Sequence, residues 1–335
     1  MKEQVSEGGP ARQGGGRRLR IAVALVATVA LIVGGVALIR QGTPGANGAP
    51  IRIGAVFPLH GDAAGLAAQE LLGVKIAAEL VNDDGGVGGR PITLDIRDLA
   101  SADAAPSVMA ALKSDGVSVV VGAYSSDLSI PAAAAADAAG IVYWEAGAVA
   151  DQLTGRGLPL VFRVGASGTD LGSNSARFAA TELAPRLDTT PSGLRLAIVS
   201  AQDAYAGSVA DAAARTAEAA GTPIVARLSY NLSAPRWPVL MSALAASRPD
   251  VVILASHIPD GVAFRQAMLA AGVHVKALIG STMAECDPDF AGELGPDAVG
   301  VFASDRPTGG FQPGALDPGA RAVYDRFARA WATGS

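Results

Sequence analysis

Ala77–Asp98, AAELVNDDGGVGGRPITLDIRD, reads as the end of a helix, a glycine hinge and a strand. Leu72, Ile76 and Leu80 recur every four residues with Val81 beside them, which is the spacing of one helix face. Asn82, Asp83 and Asp84 precede Gly85–Gly86, where glycine suits a left-handed C-terminal cap because it has no Cβ to clash. Gly88–Gly89–Arg90–Pro91 then turns the chain into ITLDIRD, a strand ending on Asp98.

The same rhythm extends in both directions. Upstream lie a strand, Ile51–Pro58, the loop LHGDAAG and the helix that runs to about Asn82. Downstream the pattern predicts a helix over Ala104–Ser114, a strand at Val117–Ala123, a helix over Leu128–Ala139 and a strand at Ile141–Trp144. VFRV, Val161–Val164, reads as a crossover strand. The alternation then repeats: a helix over Thr169–Leu183, LRLAIVS, a helix over Gly207–Ala220, PIVARLSY, a helix to Ser247, VVILAS, a helix with Phe264, Ala267, Met268 and Ala271 on one face, KALIG and AVGVFAS. A last helix covers Ala320–Trp331 and is expected to return to the first lobe. Strand–helix alternation with short connections predicts an α/β protein with two doubly wound parallel-sheet lobes. A length of 335 residues suits two domains, and a composition half hydrophobic and 17% charged suits ordinary cores. The expected boundaries are lobe 1 at 51–163, lobe 2 at 164–305 and a return segment at 306–335.

The N-terminus reads as a targeting segment. Arg12, Arg17, Arg18 and Arg20 precede Ile21–Ile39, nineteen residues without a charge, and Arg40 follows. That length approaches the roughly 20 apolar residues of a spanning helix and exceeds the core of about 7–15 in a cleaved signal. The expectation is a basic cytoplasmic tail at 1–20, a transmembrane signal anchor at 21–39 and a Gly/Pro-rich linker at 40–50. Cleavage near Ala46–Asn47–Gly48, with secretion, is the alternative. Residues 1–40 hold six of the 26 basic and two of the 31 acidic residues, so the remainder carries 20 against 29, a net of −9. Nucleic acid is therefore excluded as a partner, since no basic face remains to neutralise phosphates. A lone Cys286 excludes an internal disulfide and reads as a small buried hydrophobe.

Ligands of open α/β sheets sit outside the carboxyl ends of strands, near helix N-termini. Gly122–Ala123–Tyr124–Ser125–Ser126–Asp127–Leu128–Ser129 occupies such a junction. Its serines can offer hydroxyls and backbone N–H groups to an anion, or Ser126 or Asp127 can simply cap the helix. The next junction begins Glu145–Ala146–Gly147–Ala148–Val149, in which Glu145 is either a solvated strand-end residue or a counter-charge for a ligand amine. Tyr205 stands just before the helix expected over Gly207–Ala220, where its plain reading is packing of the helix start. His257 stands at the end of VVILAS, as a structural or a cleft residue.

The Asn82–Asp98 stretch, with DPDFAGELG and AVGVFAS across Asp287–Ser304, resembles the periplasmic binding proteins of type I that take branched-chain amino acids and related small ligands. The resemblance covers about Ile51–Trp331. It implies two lobes joined by hinge crossovers near Phe162–Gly165 and Ser304–Thr308, closing on a ligand. It implies that the loop with Ser125, Ser126 and Ser129 takes the ligand carboxylate, with Ser126 at the key serine. It puts Gly147, Ala148 and Val149 on the neighbouring turn, where amino-acid binders commonly have a hydroxyl residue in place of Val149, and Tyr205 at the aromatic position of the second lobe. Amino-acid binders of this family also carry an acid after the strand equivalent to KALIG. Here Thr282 stands in its place and Glu285 follows three residues late. A buried ammonium needs a partner, so either Glu285 or Glu145 substitutes or the ligand is not a zwitterionic amino acid.

Catalytic signatures are missing from the sequence. His60, His257 and His274 are not in HExxH spacing, and there is no GxSxG, P-loop or GxGxxG. No cofactor and no metal are expected. The function implied is capture of a small amino-acid-like solute, an amino acid or related amide or carboxylate, on the outer face of the cell membrane for an ABC permease and ATPase. A membrane-anchored sensing ectodomain on the same fold is the alternative, and an α/β enzyme a third.

Overall fold

A computed structural model describes residues 48–61, 63–281, 288–304 and 313–334. The elements in chain order are β1 (Ile51–Phe57), α1 (Ala64–Asp83), β2 (Ile92–Asp98), α2 (Ala105–Ser114), β3 (Val119–Gly122), α3 (Ser126–Ala138), β4 (Val142–Glu145) and β5 (Val161–Arg163). There follow α4 (Gly168–Phe178), β6 (Leu196–Ala201), α5 (Ala204–Ala219), β7 (Ile224–Tyr230), α6 (Trp237–Ser247), β8 (Val251–Ala255), α7 (Ile258–Ala270), β9 (Ala277–Ser281), α8 (Pro288–Leu294), β10 (Val301–Ser304) and α9 (Pro318–Gly334). The strands form two five-stranded sheets, ordered β2-β1-β3-β4-β5 and β10-β9-β8-β6-β7. The pairs from β1–β3 through β4–β5, and all four in the second sheet, are parallel.

The strand pattern explains why the sheets are covered on both faces. In β8, Val252 and Leu254 enter one apolar cluster while Val251 and Ile253 enter another. In β6, Val199 and Ile198 divide in the same way. Side chains alternate between the faces of a strand, so an unbroken apolar run demands helices on both sides. The first sheet divides likewise: Ala55 and Phe57 pack with Leu71, and Val56 packs with Leu99, Met109 and Tyr143.

The chain separates into a small compact unit, described at Gly48–Ile51 and Val81–Ile92, and a large one at Arg52–Leu80 and Thr93–Gly334. The small unit contains the glycine hinge. Gly86 has a φ of +75° and donates to the Val81 carbonyl at 2.9 Å, and a Cβ on it would stand 2.2 Å from the Arg90 carbonyl oxygen. Asn82 fixes the strand that follows: its Oδ1 accepts from Ile92 N at 2.7 Å and its Nδ2 donates to Ile92 O at 2.9 Å.

Several element boundaries differ from expectation. Helix α5 starts three residues before Gly207 because Asp203 caps it, accepting from Ala206 N at 2.7 Å. The helix expected over Thr169–Leu183 runs as α4 to Phe178 and widens into a π turn through Leu183. VFRV is a strand as expected over Val161–Arg163, and it pairs with β4 as the edge of the first sheet. Helix α9 rests on α1, where the rings of Phe327 and Trp331 would lie 3.7 and 3.9 Å from a Cβ on Gly73. Among the described residues no helix is long and apolar enough to cross a membrane. Ile21–Ile39, Cys286 and Asp305–Thr308 lie outside the described residues.

Candidate functional site

The two sheets share one strand order. Each reverses its direction of winding at a single place, between β1 and β3 in the first and between β6 and β8 in the second. A crevice opens at such a reversal because the helices on either side leave toward opposite faces. The segments after β1, β3, β6, β7 and β8 meet around two cavities. The larger, about 520 Å³, is lined by Leu66, Tyr124, Ser125, Leu232, Trp237 and His257 among others. The smaller, about 50 Å³, shares Ser125, Leu232 and His257 and adds Ser126, Asp203 and Tyr205. One wall is apolar and aromatic, with Trp237 packed on Tyr230 at 4.9 Å between ring centroids. The other is polar and formed by helix starts.

The three serines of the β3–α3 junction do different work. Ser125 is the N-cap residue of α3 but its hydroxyl makes no capping bond, and it borders both cavities. Neither Ser126 nor Asp127 caps the helix, contrary to the capping expectation. The Ser126 hydroxyl is buried and accepts from Ala150 N at 3.2 Å, tying the β4 loop to α3. Asp127 reaches instead to the start of α5, accepting from Ala204 N at 3.2 Å. Ser129 faces inward, donating to Ala123 O at 3.0 Å and accepting from Ala123 N at 3.2 Å, and borders neither cavity.

Glu145 is not a solvated strand end. It is 2% exposed, and its Oε1 accepts from Gly147 N at 3.1 Å and Ala148 N at 2.8 Å. The carboxyl therefore closes the turn after β4. Burial pushes it up to about 8, against the lowering effect of the Ala148 and Gly147 N–H groups and with a contribution from the neighbouring Glu70 charge. Gly147 is the floor for Glu70, whose Oε1 would lie 1.7 Å from a Cβ there. Ala148 and Val149 are buried in apolar clusters, and the Val149 carbonyl accepts from Gly168 N at 2.7 Å. None of Glu145, Gly147, Ala148 and Val149 borders the two cavities.

Tyr205 borders the smaller cavity and His257 borders both. Tyr205 is 5% exposed, and its hydroxyl lies within donating reach of the carbonyls of Ser256, at 3.2 Å, and Ser281. The His257 ring meets it edge-on at 5.1 Å. His257 is the N-cap residue of α7 without a side-chain capping bond, and its backbone N–H donates to Asp260 at 3.1 Å. The second Asp260 oxygen takes the Tyr230 hydroxyl. The His257 Nδ1 lies 3.7 Å from Asp203 Oδ2 and 3.9 Å from Asp260 Oδ1, and has no hydrogen-bond partner.

Thr282 and Glu285 lie outside the described residues. Tyr124, Leu232, Trp237 and Asp203 line the cavities without having been singled out from sequence. Asp203 had a legible signal, an Asp directly before an Ala-rich helix, but that signal announces only a cap. Among the described residues no three His, Cys, Asp or Glu side chains gather to hold a metal ion.

A family described as periplasmic binding protein matches residues 50–334. The Leu/Ile/Val-binding protein homolog 8 of Brucella abortus is 31% identical over 259 residues, 77% of this chain and 64% of that relative. The chain thus spans less than two thirds of the length of the curated relative it matches. Among solved structures, the leucine-, isoleucine-, valine-, threonine- and alanine-binding protein of Brucella ovis in its closed conformation aligns with a TM-score of 0.72 at 18% identity, covering 84% of this chain and 72% of the other. The solute binding protein of an ABC transporter from Rhodopseudomonas palustris in complex with 3,4-dihydroxybenzoic acid aligns at 0.67 and 17%, covering 84% and 74%. Likeness at that identity speaks to the fold.

Proposed function

The chain belongs to the periplasmic binding protein family, and from that premise we propose that it captures a small amino-acid-like solute outside the cytoplasm and presents it to an ABC permease and its ATPase. One observation carries this reading: the segments after five strands, two of the first sheet and three of the second, converge on two cavities that share Ser125, Leu232 and His257. The solute's carboxylate lies at the start of α3, against Ser125 and Ser126, where free backbone N–H groups and the helix field favour an anion. Its apolar part faces Tyr124, Leu232 and Trp237, with Tyr205 behind them. Segments 51–163 and 164–305 act as the lobes that close on it, and the return segment 306–335 leads back to the first. The branched-chain solutes named for the Brucella proteins are the first candidates; the dihydroxybenzoate complex is the reason to include acids that lack an amine.

A thermal-melt screen of the full chain against amino acids, their amides and simple carboxylates tests the proposal. A solute present at 100 times its Kd stabilises the folded state by about 2.7 kcal/mol. At least one member is expected to raise the melting temperature in a concentration-dependent way. A flat response across all three classes would remove the solute reading.

The apolar segment Ile21–Ile39 supports a finer statement, that the domain is held at the extracytoplasmic face of the cell membrane by its N-terminus. Cell fractionation is expected to find the protein in the membrane pellet with residues 1–40 intact. A soluble form beginning near Ala49 would replace the anchor with a cleaved signal.

A further inference from the structure

We infer that Asp203 is the anionic half of the site and receives the cationic end of the solute, an ammonium or similar protonated nitrogen. The inference rests on the solute reading above and names the chemistry that reading left open. The acid expected near Thr282 is missing from the sequence there, and Glu145 turns away into its own loop.

Asp203 satisfies what those residues do not. Its side chain is 5% exposed and borders the smaller cavity. Oδ1 is engaged as the α5 cap, accepting from Ala206 N at 2.7 Å. Oδ2 is buried and has no hydrogen-bond partner. Buried carboxylate oxygens are rarely left in that condition, because desolvation is then uncompensated. His257 Nδ1, 3.7 Å away and also without a partner, is too distant to supply the bond. Oδ2 is thereby left as an acceptor that an N–H-bearing cation can take.

The surrounding charges point the same way. Asp260 is engaged by His257 N and the Tyr230 hydroxyl, and Asp127 by Ala204 N. No lysine or arginine is among the described residues lining either cavity. Burial, followed at a distance by the Asp127 and Asp260 charges, raises the Asp203 carboxyl above its ordinary value, while His257 and the Ala206 N–H pull against it. An arriving cation would relieve both the desolvation and the repulsion. Ser125 and Ser126 border the same small cavity, so an α-amino acid could place its two charged groups on facing helix starts.

The test uses the full chain, Asp203→Asn and Asp203→Ser. Asn and Ser are good N-cap residues, so the start of α5 is retained, and thermal melts without solute verify that. Calorimetric titration compares L-leucine and L-alanine with their amine-free counterparts, isocaproate and propionate. Asp203→Asn is expected to weaken the amino acids by about tenfold or more and to leave the amine-free acids within about twofold. Equal losses for both classes, or no loss for the amino acids, overturn the inference and leave the solute reading standing. Native protein that takes only the amine-free acids does the same. Native protein that takes none of the four removes the amino-acid reading and this inference with it.

Discussion

At pH 9, Glu145→Gln is expected to be more stable than the native chain by about 3–5 kcal/mol. The cause is the buried carboxyl, which burial first, and the Glu70 charge last, hold near 8 against an ordinary value of 4.5. Below pH 4.5 the group is protonated in both folded and unfolded chains and contributes no pH dependence. Between 4.5 and 8 the unfolded carboxyl ionises while the folded one keeps its proton, so the native chain loses stability as pH rises. Above 8 the full penalty is present. Glutamine retains the oxygen that accepts from Gly147 N and Ala148 N and has no charge to bury. The measurement is the pH dependence of the difference between native and variant unfolding free energies across pH 4 to 9, in which titrations not coupled to Glu145 cancel. A pH-independent difference would mean that Glu145 titrates as an ordinary carboxyl.

Gly172→Val is expected to destabilise the chain by about 3 kcal/mol or more. Gly172 lies where α4 crosses α5 at close range. A Cβ there would stand 2.1 Å from Val209 O, 2.8 Å from Ala213 N and 3.0 Å from Ala212 Cβ. The first two are main-chain atoms of a helix, so they cannot swing aside, and the helices must separate. Gly168, one turn earlier, meets Ser208 Cβ at 2.4 Å and belongs to the same close seam. Gly207, in α5 but with nothing within 4 Å of its missing Cβ, is the control. Gly207→Ala is expected to gain about 0.5–1 kcal/mol from helix propensity. Chemical denaturation of both variants decides the matter: similar midpoints would refute the tight crossing.

What the sequence determined by itself was the local grammar. The spacing of Leu72, Ile76 and Leu80 and the pair Gly85–Gly86 fix a helix and its end through contacts a few residues apart. The unbroken VVILA of β8 requires apolar cover on both faces, hence a parallel sheet flanked by helices. Short connections then leave few topologies, and the strand ends mark the loops where a site can form. His257 was singled out in this way, at the end of VVILAS, and Tyr205 through the family resemblance; both border the cavities.

Tertiary structure decided which way each loop residue faces. Ser125, Ser126 and Ser129 are equivalent on paper, yet one borders both cavities, one ties down the β4 loop and one is shut inside. The carboxyl of Glu145 turns back to two N–H groups of its own loop, and Glu70, 75 residues earlier, packs over Gly147 of that loop. VFR becomes a sheet edge because β4 lies within pairing distance, which no local pattern specifies. Asp203 shows the limit most clearly. Its position before α5 announces a cap, and the cap uses only one oxygen. That the other oxygen is buried beside His257 follows from the starts of α5 and α7 standing together, residues more than 50 apart in the chain. Burial and charge environment are sums over everything packed around an atom, and a linear sequence does not contain those sums until the sheets have assembled.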